Sequence, residues 1–405
     1  MKALIYGAGN VGRGFIGQLL GQAGYSLTFV DINQALVHAL NREGAYSVRL
    51  LDAGGGSRDI AVSGVSALDG ADLDAVAKAI ADCDIMATAL GANILPRMAP
   101  VIAEGFSLRM KQGQMPLNII LCENLHDASG VMRRAIDSAL PEADRPLADS
   151  LLGLVEASIG RMIPVQTDAM RDGDPLRICA EAYAFLPVDG AAFRGSPPAV
   201  EGLIPHTPFE YYMQRKLYIH NMGHMVCALL GSYTGKTYIY EAIADSAIEL
   251  VTRQAMLESA CALSVAYGVP IKPLLDHIDD LILRFGNAQL MDTCARVSQD
   301  IPRKLKPEDR LIGAVRLCDS QGVIPAYIAL GAAAALRQYV KSQGLPDDAA
   351  SAQQTLAELS GLDESDNRLA CLISEQYAYF MDEADVSVLL RCAQQLKSRL
   401  TGLVA

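Results

Sequence analysis

The chain has 405 residues, 51% hydrophobic and 20% charged, which is enough apolar material for two cores and excludes a disordered polypeptide. Its 34 Lys and Arg face 46 Asp and Glu, a net charge of −12. That balance excludes a nucleic-acid binder working through a general basic field, but not a local basic cluster for a small anion. No uncharged apolar run is long enough to span a bilayer, so no membrane partner is expected.

Lys2 is followed at once by a short apolar strand and glycines, which reads as the start of a fold and not as a signal peptide. The nine cysteines are odd in number, dispersed, and form no C-x-x-C. They read as small buried side chains of a cytoplasmic protein. The six histidines contain no H-E-x-x-H, so no metal is expected.

Residues 2–6 read as a buried strand running into Gly7. A helix follows from about Asn10 to Gly24, because Val11, Phe15, Leu19 and Leu20 recur at three- and four-residue steps. A second strand over Leu27–Val30 ends at Asp31, and Asn33 is placed to cap the next helix. Residues 46–51 and 59–65 alternate around Gly54, Gly55 and Gly56 and read as an inserted hairpin. Core strands over 85–90 and 117–122 end in Gly91 and in Glu123-Asn124, with two more expected near 152–158 and 176–185. His126 reads as a loop residue. After residue 190 a Gly- and Pro-rich stretch leads into helical patterns near 208–231, 238–268, 271–284, 321–343, 350–360, 366–380 and 385–400. The expected fold is an α/β N-terminal domain over 1–190, a Rossmann-type doubly wound sheet, followed by an all-α C-terminal substrate domain over 191–405.

Gly7-Ala8-Gly9-Asn10-Val11-Gly12 matches G-x-G-x-x-G between a strand and a helix, with Asp31 following 19 residues after Gly12. Gly7 would permit the tight turn, Gly9 a close approach of pyrophosphate, and Gly12 close packing of helix on strand. Asp31 would accept from the ribose hydroxyls and repel a 2′-phosphate, which favours NAD. The bland alternatives are an ordinary strand–helix turn and a helix-start acid. Gly91 and Asn124, at later strand ends, are assigned to the same cofactor side.

The second motif is Lys216, Asn221 and His224. On an α-helix with Lys216 at 0°, His224 falls at about 80° and Asn221 at about 140°. A lysine, a carboxamide and an imidazole on one half of a helix make a set for moving a proton to or from an alcohol. Burial beside a cationic nicotinamide would lower the lysine pKa. The same pattern also fits a solvated lysine with two polar residues packed between domains.

These residues satisfy K-x(4)-N-x(2)-H, and the chain here resembles the polyol-specific long-chain dehydrogenases. The N-terminal twenty residues, 117–125, 159–164 and 215–224 look like the sugar-alcohol-phosphate branch of that family. The resemblance implies metal-independent transfer of hydride from a secondary alcohol carbon to NAD, with Lys216 as general base and Asn221 and His224 on the reacting and neighbouring hydroxyls. It implies mannitol 1-phosphate and fructose 6-phosphate as partners, with a free polyol or a hexonate as the alternative.

Free-polyol members carry an asparagine four residues before the aspartate of V-D-R-I-x-P. Here Glu156 and Gly160 stand at those places, next to Arg161. Glu156 would bind substrate hydroxyls or pair with Lys216, unless it is a strand-end acid facing solvent. Arg284 and Asn287 are expected to shape the pocket. Arg303 and Lys304 follow Pro302 in an expected loop and could neutralise a phosphate, unless Glu308 and Asp309 simply balance them in solvent.

Overall fold

The computed structural model describes residues 1–113, 116–125, 127–362 and 366–402, so His126 lies outside the described residues. The chain divides into two compact units, Met1–Glu210 and Tyr211–Ala405.

The strands of the first unit are β1 (Lys2–Tyr6), β2 (Ser26–Asp31), β3 (Ala45–Leu51), β4 (Ser57–Ser63), β5 (Val65–Asp69), β6 (Ile85–Thr88), β7 (Leu117–Leu121), β8 (Leu152–Glu156), β9 (Ile178–Glu181), β10 (Leu186–Asp189) and β11 (Leu203–His206). Six of them form one parallel sheet in the order β5-β2-β1-β6-β7-β8. Successive residues of β1 point to opposite faces, and both faces are buried. Ala3 and Ile5 join Phe15, Leu20 and Phe29 in one core, whereas Leu4 and Tyr6 join Ile80, Phe106 and Met132 in the other. A strand covered on both sides must be apolar throughout, which is why β1 reads as a run and not as an alternation. This is the doubly wound α/β architecture expected from the sequence.

The second arm of the hairpin ends at Ser63. Gly64 turns the chain at φ +70°, and residues 65–69 return as β5, the sheet's edge strand beside β2. Reading 59–65 as one element hid that strand. The hairpin itself forms a separate three-stranded sheet with β9. β10 and β11 pair in parallel, an association masked in sequence by Pro187 and Pro205, and it ties residues 203–206 to the first unit.

Among its described residues the second unit is built from helices and one isolated bridge, Tyr238 with Thr293. The pattern at 238–268 is two helices, Ile239–Ile243 and Ser246–Tyr267. Asp245 interrupts it by accepting from the N–H groups of Ala247 (3.0 Å) and Ile248 (3.3 Å). The pattern at 321–343 begins only at Ala326, after Pro325, and is preceded by a helix over Ile312–Ser320. Six cysteines are buried, but Cys261 and Cys371 are exposed and Cys392 is half-buried, so the expectation of uniformly buried thiols fails at those three. None of the described helices is long and apolar enough to cross a membrane.

Glu258 ties three helices of this unit together. It is fully enclosed, accepts from the N–H groups of Tyr327 (3.1 Å) and Ile328 (3.1 Å) at the start of Ala326–Ser342, and takes a bond from Lys397 Nζ at 3.0 Å. Burial raises its carboxyl from 4.5 to about 7, against the opposing pull of Lys397. A carboxyl raised in the folded state favours folding while protonated, and that contribution is lost as pH rises from 4.5 towards 7. Urea melts across this range should show a component of stability that falls with pH and disappears in Glu258→Gln. An unchanged slope in the variant would assign that titration to another group.

Candidate active site

The first group of candidate residues lies at the carboxyl edge of the six-stranded sheet. β1 runs into Gly7, whose φ is +106° and whose hypothetical Cβ would stand 2.4 Å from the Ala89 carbonyl oxygen. A Cβ on Gly12 would stand 1.9 Å from the Gly7 oxygen, so only glycine lets this helix pack against this turn. A Cβ on Gly9 would meet nothing within 4 Å, so the turn is open where a phosphate would approach. Gly9 O accepts the first helical bond, from Arg13 N at 3.0 Å, and the N–H groups that follow have no earlier turn to bond. The helix over residues 10–22 contains a wide π turn, Gly12–Gly17.

Asp31, at the end of β2, accepts from Ala8 N and Asn33 N, both at 2.9 Å. Its charge is thereby fixed beside the glycine turn, and Ala8 contributes by holding Asp31. Asn33 caps the next helix by accepting from Leu36 N at 3.2 Å. A pyrophosphate against Gly9 and a ribose against Asp31 both fit these groups.

Gly91 (φ +91°) and Asn124 are exposed at the ends of β6 and β7. Between them lies a residue to which the sequence reading gave no role. Glu123 is buried, accepts from Thr88 Oγ1 at 2.8 Å and from Leu90 N at 3.1 Å, and so fixes the loop that carries Gly91. Burial raises its carboxyl pKa. Only its place in a strand-end Glu-Asn pair hinted at it. Glu156 ends β8 and accepts from Ser129 N at 2.8 Å, at the start of the helix Ala128–Ala139, so it is a helix-start anchor and not simply a solvent-facing acid.

Arg161, left unassigned by the missing aspartate, is structural. Its guanidinium is buried, donates to Gly14 O (2.9 Å), Gln18 Oε1 (2.7 Å) and Tyr183 O, and lies 4.5 Å over the Phe15 ring. It braces the π turn that follows the glycine motif. Arg161→Met would strip these acceptors of their donor and should cost on the order of 2–4 kcal/mol of first-unit stability, read by denaturant titration. A change near zero would mean that the brace carries no weight.

In the second unit Lys216 opens another π turn, Lys216–Asn221, which continues into the helix Met222–Tyr233. Met222 N–H reaches back five residues to Leu217 O. This corrects the projection made for a continuous α-helix. A five-residue step closes one π turn, so Asn221 lies nearly over Lys216, and His224 returns to the same side. The three then project within roughly 60° of arc, not 140°.

Burial, with Arg310 nearby, lowers the Lys216 ammonium from 10.5 to about 8. Near neutral pH the amine is therefore neutral more often than that of an ordinary lysine. His224 stacks on Phe285 with ring centroids 4.8 Å apart and 16° between planes, and its Nε2 stands 3.3 Å from Asp292 Oδ2. His220 and His277, both buried, are held neutral by burial and by Arg284. Arg284 pairs with Asp280 at 3.2 Å, Asn287 accepts from Gln289 N at 3.1 Å, and the His220 ring lies 6.0 Å from that of Phe285.

The expected basic loop is a single-turn helix, Ile301–Lys304. Arg303 pairs with Asp300 and, at 3.0 Å, with Asp309. Lys304 is buried with Nζ on Val297 O at 2.7 Å, and burial together with Arg310 and Arg303 lowers it to about 8. Arg310, which the sequence reading passed over, is buried and acts on both lysines.

Comparison with known proteins matches residues 1–202 to the mannitol dehydrogenase Rossmann domain and residues 209–396 to the mannitol dehydrogenase C-terminal domain. The chain is 38% identical over 353 residues to a mannitol-1-phosphate 5-dehydrogenase of Brevibacillus brevis, covering 87% of this chain and 89% of that one. Among solved structures it shares its fold with Pseudomonas fluorescens mannitol 2-dehydrogenase, crystallised with NAD and D-mannitol, at TM-score 0.75 and 17% identity over 98% of this chain and 94% of that one. A substrate-free D-sorbitol dehydrogenase gives TM-score 0.78 and 16% identity over 96% of this chain and 94% of that one. The glycine turn with its fixed aspartate, the lysine π turn and the two matched domains together make this chain a member of the mannitol dehydrogenase family.

Proposed function

We propose that this chain is a cytoplasmic, metal-independent, NAD-dependent dehydrogenase that interconverts mannitol 1-phosphate and fructose 6-phosphate, with Lys216 as general base. The observation that carries the reading is the Lys216 π turn. It lines up an amine depressed to about 8 with Asn221 and His224 on one helix face. The 38% identity to a mannitol-1-phosphate 5-dehydrogenase supports the substrate.

Bound on the turn Gly7–Gly12, NAD would supply the hydride acceptor. Gly9, Asn10 and Val11 offer open backbone to its phosphates, and Asp31 offers a carboxylate to the ribose hydroxyls. Gly91 and Asn124 stand further along the same sheet edge, towards the nicotinamide or substrate end. In oxidation, neutral Lys216 takes the proton of the alcohol. In reduction, its ammonium returns that proton to the forming alkoxide. Asn221 donates to the reacting oxygen and His224 binds the neighbouring hydroxyl. Glu156, anchored through Oε1, is proposed to meet a further substrate hydroxyl.

For the phosphate, Lys304 and Arg310 are better candidates than Arg303. Two lysines depressed by burial, with Arg310 adding to the shift of each, mark a cluster of cationic groups that an anion would relieve. The ion pairs of Arg303 with Asp300 and Asp309 favour the second reading, a free polyol or hexonate as substrate.

A panel with NADH, setting fructose 6-phosphate against fructose and tagaturonate, separates the two readings. The proposal expects fructose 6-phosphate to win by kcat/KM and activity to survive EDTA. Lys216→Ala should lower kcat by roughly 10²–10⁴-fold while leaving NADH binding intact. Oxidation should rise with pH through a midpoint near 8, and reduction should fall through the same region. Asp31→Ser should narrow the preference for NADH over NADPH. A folded Lys216→Ala protein with parental kcat would overturn the assignment.

A further inference from the structure

We propose that Asp292 is a positioning residue for His224: it holds the imidazole in the tautomer protonated at Nε2 and leaves Nδ1 to meet a substrate hydroxyl. This rests on the reading of His224 as a substrate-binding group.

Asp292 lies 68 residues from His224 in sequence and is brought to it by a local pin. Its own carbonyl accepts from Ile239 N at 2.9 Å, Cys294 N bonds Thr237 O at 2.9 Å, and Tyr238 bridges to Thr293. The carboxylate is gripped from its other side by Arg296, with Nε on Oδ1 at 2.6 Å and Nη2 on Oδ2 at 2.7 Å. Oδ2 also faces His224 Nε2 at 3.3 Å, a charge contact and not an aligned hydrogen bond, and the buried Nε2 makes no hydrogen bond among the described residues. Although burial pushes the Asp292 carboxyl up, His224 and Arg296 outweigh it and hold it at about 2. At neutral pH it is therefore an acceptor only, and the ring nitrogen facing it must carry the proton.

The ring's freedom is limited further by its stacking on Phe285. The charged and titratable groups around the His220–His224 pair are Lys216 on the same helix, His277 and Arg284 on the helix Lys272–Phe285, both beside His220, and Asp292 with Arg296 beside His224. Within this group Asp292 is the carboxylate that touches His224. The arrangement has the logic of an acid that orients an imidazole by accepting from one nitrogen so that the other is available.

The test is the tautomer of His224, read by ¹⁵N NMR of imidazole-labelled full-length protein without substrate, with His224→Gln identifying the resonance. The parent should carry its neutral-ring proton on Nε2. In Asp292→Asn the amide oxygen should turn to Arg296 and present its NH₂ to the ring, which moves the proton to Nδ1. KM for the sugar substrate should rise roughly 10–100-fold while NADH affinity is unchanged. An Nδ1-protonated ring in the parent overturns the proposal without any variant being needed. So does a folded Asp292→Asn protein that keeps the parental tautomer and KM. Failure of the Lys216 mechanism would appear instead as parental kcat in Lys216→Ala, with the tautomer result standing on its own.

Discussion

Withdrawing a lysine ammonium from water in the company of a second cation is the constraint on which the proposed chemistry depends. Burial alone disfavours the charged amine, and Arg310 adds to the penalty. The helix around Lys216 is organised accordingly. Its π turn brings Asn221 and His224 to the same face, and the surrounding histidines, His220 and His277, are held neutral. The consequence is an amine that gives up its proton more readily than an ordinary lysine, as the proposed role of general base requires.

The first unit meets a different constraint, the placement of a carboxylate and a bare backbone turn at one sheet edge. Gly7 and Gly12 are fixed by contact, whereas the space at Gly9 is open. Asp31 is held by backbone N–H groups on either side, which keeps its charge where a ribose would lie. Arg161 supports the same region from below by bracing the helix that follows the turn. Both units thus place a π turn next to the residues assigned to function, in keeping with the tendency of such turns to mark working sites.

Much of this was legible in the sequence because it is local. The glycine turn, Asp31, the cap at Asn33 and the lysine signature each depend on residues a few positions apart. What escaped was either irregular or long-range. β5 was hidden because Gly64 splits an apolar alternation into two strands. The π turn at Lys216 cannot be read from a periodicity that assumes a regular helix. Asp292, Arg310 and Glu123 act through partners that only the fold brings close, and Arg303 and Lys304 look alike in sequence although one is ion-paired and the other buried.

The central claim is that Lys216 titrates far below an ordinary lysine, and the most direct measurement is its own titration. Reductive methylation with ¹³C-formaldehyde, followed by NMR of the dimethylamine resonances against pH and assigned with Lys216→Arg, reads that group alone. The account predicts a midpoint near 8. A midpoint at the ordinary 10.5 would contradict it and return the lysine to a solvated surface role.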